Sequence, residues 1–155
     1  MNSQEPSRLL VVHHTPSPAM HELLEAVLDG ARNPEIVGVE VTVRPALSAS
    51  ASDVLAADGF VLGTPANIGY MSGALKHFFD QIYYPTLLAR IGAPYGVWVH
   101  GANDVGGALR SVHQIASGLS WSRVHDDVAA TGPLTGPDVA RAYSLGATVA
   151  AVLSR

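Results

Sequence analysis

What most constrains this chain is an alternation that runs from end to end. Short apolar runs rich in β-branched residues are separated by segments whose apolar residues recur at helical spacing. The first run, Leu9-Leu10-Val11-Val12, has no polar break, the pattern of a strand covered on both faces. Val37–Val43, Gly59–Gly63 and Tyr95–Val99 read as three further strands, and Val124–Ala130 as a fifth. Between them, Met20, Leu23, Leu24, Val27 and Leu28 form one helical stripe, with His21, Glu22, Glu25 and Asp29 on the opposite face. Leu75, Phe78, Phe79 and Ile82 make a second stripe, and Val105, Leu109, Val112, Ala116 and Leu119 a third. The Ala- and Ser-rich stretch Ser48–Ala57 predicts a short helix. The last helix opens on Thr135-Gly136-Pro137-Asp138, a capping box, and continues through Val139, Ala142, Gly146, Val149 and Leu153.

Strands alternating with helices across short loops must run parallel with right-handed crossovers. A closed barrel needs eight such units, more than 155 residues supply. The expectation is one α/β domain over residues 1–155: an open, doubly wound, five-stranded parallel sheet of order 2-1-3-4-5 with helices on both faces. Composition narrows the function. Nine Lys and Arg against 13 Asp and Glu give a net charge of −4, which offers nothing to a nucleic acid. Cys is absent, excluding thiol catalysis and Cys-ligated zinc. The apolar runs fall far short of the ~20 residues that cross a bilayer. Met1–Arg8 is polar, without the apolar core of a secretion signal, so a cytoplasmic protein free of membrane is expected.

In this topology ligands bind at the carboxyl ends of strands one, three and four. Three segments follow those ends: His13–Met20, Thr64–Met71 and His100–Gly107. In the first, Ser17 precedes Pro18 and reads as the N-cap of a helix with Pro at its first position. Free N–H groups and the positive end of the helix dipole suit a phosphate there, with Thr15 and Ser17 as hydroxyl donors; a helix cap with no ligand explains the same residues. Neither a Walker pattern nor G-x-G-x-x-G is present, which argues against a nucleoside triphosphate or an ordinary dinucleotide site. In the second, Thr64, Pro65, Asn67 and Gly69 predict a rigid turn exposing main-chain groups to the edge of a flat heteroaromatic ring. In the third, Gly101, Gly106 and Gly107 let the backbone lie close to a ligand, and Asn103 or Asp104 caps the next helix.

The string Gly63-Thr-Pro-x-Asn67-x-Gly69-x-Met71-Ser-Gly-x-Leu75-Lys76-x-Phe-Phe-Asp80 resembles the signature of the flavodoxin-like NAD(P)H-dependent FMN reductases and quinone reductases. Thr15-x-Ser17 is similar to that superfamily's phosphate loop. The element order agrees over most of the chain; the motif is specific over residues 63–80. The resemblance implies a flavodoxin-like sheet, with Thr15, Ser17, Ala19 and Met20 at the FMN phosphate. It places Thr64, Pro65, Ala66, Asn67, Ile68 and Gly69 along the isoalloxazine, and His100, Gly101, Asn103, Gly106 and Gly107 in the third flavin loop. Pro18 departs from the pattern: it stands where the family has Gly and removes an amide donor.

What the resemblance implies is a two-electron flavoenzyme carrying electrons from NAD(P)H to a quinone or other small electrophile. The flavin does the redox chemistry, so no catalytic side chain is expected. A flavodoxin-type electron carrier is the alternative, as is a binding module that has lost FMN. Carriers surround the flavin with carboxylates and aromatics, whereas these three loops hold only Asp104 and Tyr70. The seven His form neither H-x-x-x-H nor H-E-x-x-H, so no metal is expected. His125-Asp126-Asp127 reads as a solvated strand end, and Trp98 as core. Lys76 reads as helix surface, and Ser72 lacks the spacing of a nucleophile elbow. The family's dimers and tetramers make Tyr83, Tyr84, Leu87 and Leu88 interface candidates.

Overall fold

The computed structural model describes residues 5–155; Met1–Gln4, part of the polar N-terminus discussed above, lie outside the described residues. The elements in chain order are β1 (Ser7–His13), α1 (Pro18–Ala31), β2 (Val39–Pro45), α2 (Ala51–Leu55), β3 (Gly59–Asn67) and β4 (Tyr70–Met71). There follow α3 (Gly73–Thr86), β5 (Pro94–Gly101), α4 (Gly106–Gly118), β6 (Ser122–Arg123), β7 (Val128–Thr131) and α5 (Gly136–Leu153). The main sheet runs β2-β1-β3-β5, and both β6 and β7 pair with the far side of β5, all in parallel. With β6 and β7 sharing the fifth position, this is the doubly wound order read from the sequence.

The unbroken apolar run of β1 is divided between two cores. Leu9 and Val11 pack with Met20, Leu23 and Val27 of α1 and with Leu145 and Val149 of α5. Leu10 and Val12 face Phe78, Phe79 and Ile82 of α3 and Val112 and Ala116 of α4 on the other side. Successive strand residues point to opposite faces, so a two-sided core demands apolar residues at every position. Trp98 is fully buried in the first layer, as the strand context predicted. Thr135 caps α5 by the predicted box: its side chain accepts from the Asp138 N–H, and the Asp138 carboxylate accepts from the Thr135 N–H at 2.9 Å.

Three expectations need correction. The second strand begins at Val39, because Gly38 takes a φ of 77° and turns the chain before the ladder starts. The third strand does not end at Gly63: it continues through Asn67, with Thr64 and Pro65 in register with Val99 and His100 of β5. The segment read as a turn is therefore mostly strand. The fifth strand, expected as one run over 124–130, is confined to β7 at Val128–Thr131; residues 124–127 lie in no strand, and the two-residue β6 at Ser122–Arg123 precedes them. The cause is Asp127, which leaves the ladder to accept a hydrogen bond from His113 Nε2 of α4 at 2.8 Å and to pair with Arg123 at 3.2 Å. A charged group cannot sit in a strand covered on both faces unless it is paired. So Asp127 is a tethered ion pair rather than a solvated strand end. Tyr95 extends the chain: its hydroxyl hydrogen-bonds His113 Nδ1 at 2.6 Å.

Burial pushes the Asp127 carboxyl up, but the hydrogen bond and charge of His113, joined by Arg123, outweigh it and hold it below 3.8. A carboxyl with a depressed native pKa contributes stability that is complete above its unfolded value and fades as pH falls through the native one. Asp127→Asn is expected to lower the urea midpoint at neutral pH and to flatten the loss of stability below about pH 4. Parallel midpoint-versus-pH curves for the variant and the parent chain would contradict this role.

Candidate functional site

Parallel strands β1, β3 and β5 lie side by side, so their carboxyl ends form one rim. The registers His13–Gly63, Pro65–His100 and Gly101–Thr131 place the three loops next to one another. Each loop is built differently.

The loop after β1 ends in a capped helix start. Ser17 has extended backbone, and its hydroxyl accepts from the Met20 N–H at 3.2 Å. Pro18 occupies the first helical position, and the first turn carries no carboxylate. Among the described residues, no protein acceptor takes the N–H of Thr15, Ser17 or Ala19. Three unpaired N–H groups, two hydroxyls and the positive end of α1 fit a phosphate monoester. Met20 sends its side chain into the core and its N–H to Ser17. His13 Nδ1 lies 2.8 Å from Thr15 Oγ1, a contact the sequence did not signal. Burial, and then the neighbouring His14, lower the basicity of His13.

The loop after β3 is a hairpin. Ala66 and Asn67 pair antiparallel with Met71 and Tyr70, leaving Ile68-Gly69 as a two-residue tip. Both tip residues have positive φ, 50° and 72°, the signs that a tight hairpin turn requires. Gly adopts this freely, but a β-branched residue there costs about 1–3 kcal/mol, the kind of strain that gathers at ligand sites. Ile68 is also fully exposed, an apolar side chain presented to the rim. Behind the tip, buried Thr64 donates to the Pro65 carbonyl at 2.8 Å and accepts from the Ser72 N–H at 2.9 Å. Thr64 thus braces the hairpin from inside, and Pro65 is buried beside it. Ala66, half buried, and exposed Asn67, Ile68 and Gly69 form the accessible edge.

The loop after β5 closes the rim. Gly101 sits in a tight place: a Cβ there would lie 3.0 Å from Val105 Cγ1 and 3.1 Å from Ala66 Cβ, so those side chains would have to give way. By backbone conformation the N-cap of α4 is Val105, which has no side-chain cap. The expected capping comes from one residue earlier, where the Asp104 carboxylate accepts from the Gly106 N–H at 2.9 Å. Asn103 accepts from the Asp104 N–H at 2.6 Å and is exposed. Half-buried Gly107 presses on the hairpin tip, and Ser111, one turn on, accepts from the Met71 N–H at 3.2 Å. His100 donates from Nε2 to the Gly132 carbonyl at 2.7 Å. This adds a fourth segment, the turn after β7, whose Thr131-Gly132-Pro133 breaker was visible in the sequence but had no assigned place. Among the described residues no three His, Asp or Glu side chains gather into a metal-binding group, and no helix is long and apolar enough to cross a membrane.

The fold defines a flavodoxin-like protein. A flavodoxin, WrbA-like protein from Agrobacterium tumefaciens superposes with a TM-score of 0.77 at 24% identity, covering 95% of this chain and 97% of that one. A flavodoxin from the domain Archaea gives 0.79 at 16% identity, covering 94% and 98%. Residues 13–131 match the NADPH-dependent FMN reductase family, and the chain belongs to it. A flavodoxin from Aquifex aeolicus is 37% identical over 75 residues, 48% of this chain and 40% of that protein. An NAD(P)H dehydrogenase (quinone) from Acidithiobacillus ferrooxidans is 28% identical over 95 residues, 48% of this chain and 46% of that protein. The chain thus spans less than half the length of these two relatives.

Proposed function

We propose that this chain is an FMN-dependent oxidoreductase that passes two electrons from NAD(P)H to a quinone or another small electrophilic acceptor. The observation that carries the reading is the rim itself: unpaired N–H groups and hydroxyls at a helix start stand beside a strained, exposed hairpin edge. Thr15, Ser17 and the Ala19 N–H would hold the phosphate. Ala66, Asn67, Ile68 and Gly69 would border the ring, with Asn103, Gly106 and Gly107 across from them. Thr64, Pro65, Met20 and Gly101 act from behind, fixing the positions of groups that reach the ligand. FMN, when bound, supplies hydride acceptance and donation; the chain's residues bind it, orient it and leave one edge open to substrates. Exposed Tyr84 and Leu88 support a further proposal, that copies of this chain meet along the end of α3.

The similarity to a flavodoxin favours a second reading, an electron carrier without turnover of its own. The rim argues the other way: its one carboxylate, Asp104, is committed to the Gly106 N–H, and its one aromatic, Tyr70, sits on the hairpin. Apoprotein is titrated with FMN by flavin fluorescence quenching. The loaded protein is then assayed with NADH and NADPH against a panel of quinones. Saturable binding and quinone-dependent nicotinamide oxidation are expected. Binding without oxidation of either nicotinamide establishes the carrier instead, and no binding establishes a module that has lost the cofactor.

A further inference from the structure

We propose that His13 is a positioning residue for the cofactor's phosphate, turning the Thr15 hydroxyl into a donor when it gains a proton and so tying FMN retention to pH. The inference rests on the FMN reading of the rim. From His13 to Met20 the loop has neither Lys nor Arg, and Pro16 and Pro18 remove two N–H donors. Imidazole is therefore the only side chain in the loop able to bring positive charge to a dianion.

Thr15 has a single hydroxyl proton. In the neutral ring with its proton on Nε2, Nδ1 is an acceptor: the Thr15 proton is drawn to it across the 2.8 Å contact, and the hydroxyl shows a phosphate only lone pairs. When Nδ1 carries a proton, the ring donates to Thr15 Oγ1, and the hydroxyl proton is released toward the ligand. Protonation thus frees a donor and places a positive charge one hydrogen bond behind it. In the free protein burial and His14 work against that proton; a bound dianion works for it. By linkage the complex then takes up a proton, and each unit of separation between the free and bound pKa values is worth about tenfold in affinity.

Among the titratable side chains around His13, none of the others is hydrogen-bonded to the Thr15 hydroxyl. His14 adjoins it. Arg44, next to its register partner on β2, is 3.7 Å from Asp53 near α2's start. His21, in the second turn of α1, pairs with Glu25 at 3.8 Å, and Glu22 beside it is exposed. The neighbouring β3 residues, Gly63 and Thr64, do not titrate.

The test measures dissociation constants for FMN and for riboflavin, which lacks the phosphate, at about pH 6.5 and about pH 8.5. FMN is expected to bind about tenfold more tightly at the lower pH, although its own second ionisation near 6 works the other way. Riboflavin should show no such change. His13→Gln keeps an N–H donor toward Thr15 without a titrating charge, so its FMN affinity should lose the gain at the lower pH and follow only the ligand's own ionisation; His14→Asn should keep the gain at the lower pH, its onset moved toward higher pH because a neighbour that opposes the His13 proton is gone. A gain at the lower pH retained in His13→Gln, lost in His14→Asn, shared by riboflavin, or missing in the parent chain overturns the role of His13 and leaves the flavin site standing. Failure of the parent chain to bind FMN at either pH overturns the flavin site and this inference together.

Discussion

Gly146→Ala is expected to cost about 2–3 kcal/mol of stability, although helix propensity alone favours Ala over Gly by roughly 0.5–1 kcal/mol. A Cβ at Gly146 would lie 2.0 Å from the Val27 carbonyl oxygen and 3.1 Å from the Ala31 N–H nitrogen. The contact is reciprocal: a Cβ at Gly30 would lie 2.0 Å from the Tyr143 carbonyl oxygen. The atoms in the way are helix backbone, held by their own hydrogen bonds, and cannot step aside as a side chain does. Helices α1 and α5 would have to separate, opening the layer of Leu23, Val27, Leu145 and Val149 that covers one face of the sheet. Urea unfolding of Gly146→Ala and Gly30→Ala measures this. A midpoint equal to or above that of the parent chain would mean that propensity decides and the helices do not touch through their backbones.

Gly107→Ala is expected to weaken FMN binding by about tenfold or more while changing stability little. A Cβ at Gly107 would lie 2.0 Å from the Gly69 carbonyl oxygen, at the tip of the hairpin proposed to border the flavin ring. The tip is exposed, so it can move aside without opening a core, and the displacement falls on the ring edge. A titration by flavin fluorescence together with a melting curve separates the two effects. Unchanged affinity would remove the hairpin from the binding site; a collapse in melting temperature would show that the tip is a structural brace instead.

Both predictions concern contacts that no local pattern displays. The alternation of apolar runs and helical stripes was enough for the parallel order, because a strand apolar at every position, like Leu9–Val12, needs cover on both faces. Ser17 and Thr135 were legible as caps because capping depends on residues three apart in the chain. The hairpin was not: Thr64 and Pro65 look like turn residues until β5 is laid beside them. The late start of the fifth strand was hidden as well, since the partners of Asp127 are His113 on α4 and Arg123 in β6.

Sequence alone determined the class of fold, the rim at which a ligand can sit and the small, hydroxyl-bearing residues available there, because periodicity, capping and loop position are properties of neighbours along the chain. Tertiary structure decided which of those residues face outward. Thr64 became a brace and Ile68 an exposed, strained tip, while His13 was set against Thr15 and Gly146 against Val27. The reason is physical. Burial and hydrogen-bond commitment depend on what packs from distant parts of the chain, and they decide whether a polar group is spent within the protein or free to meet a ligand.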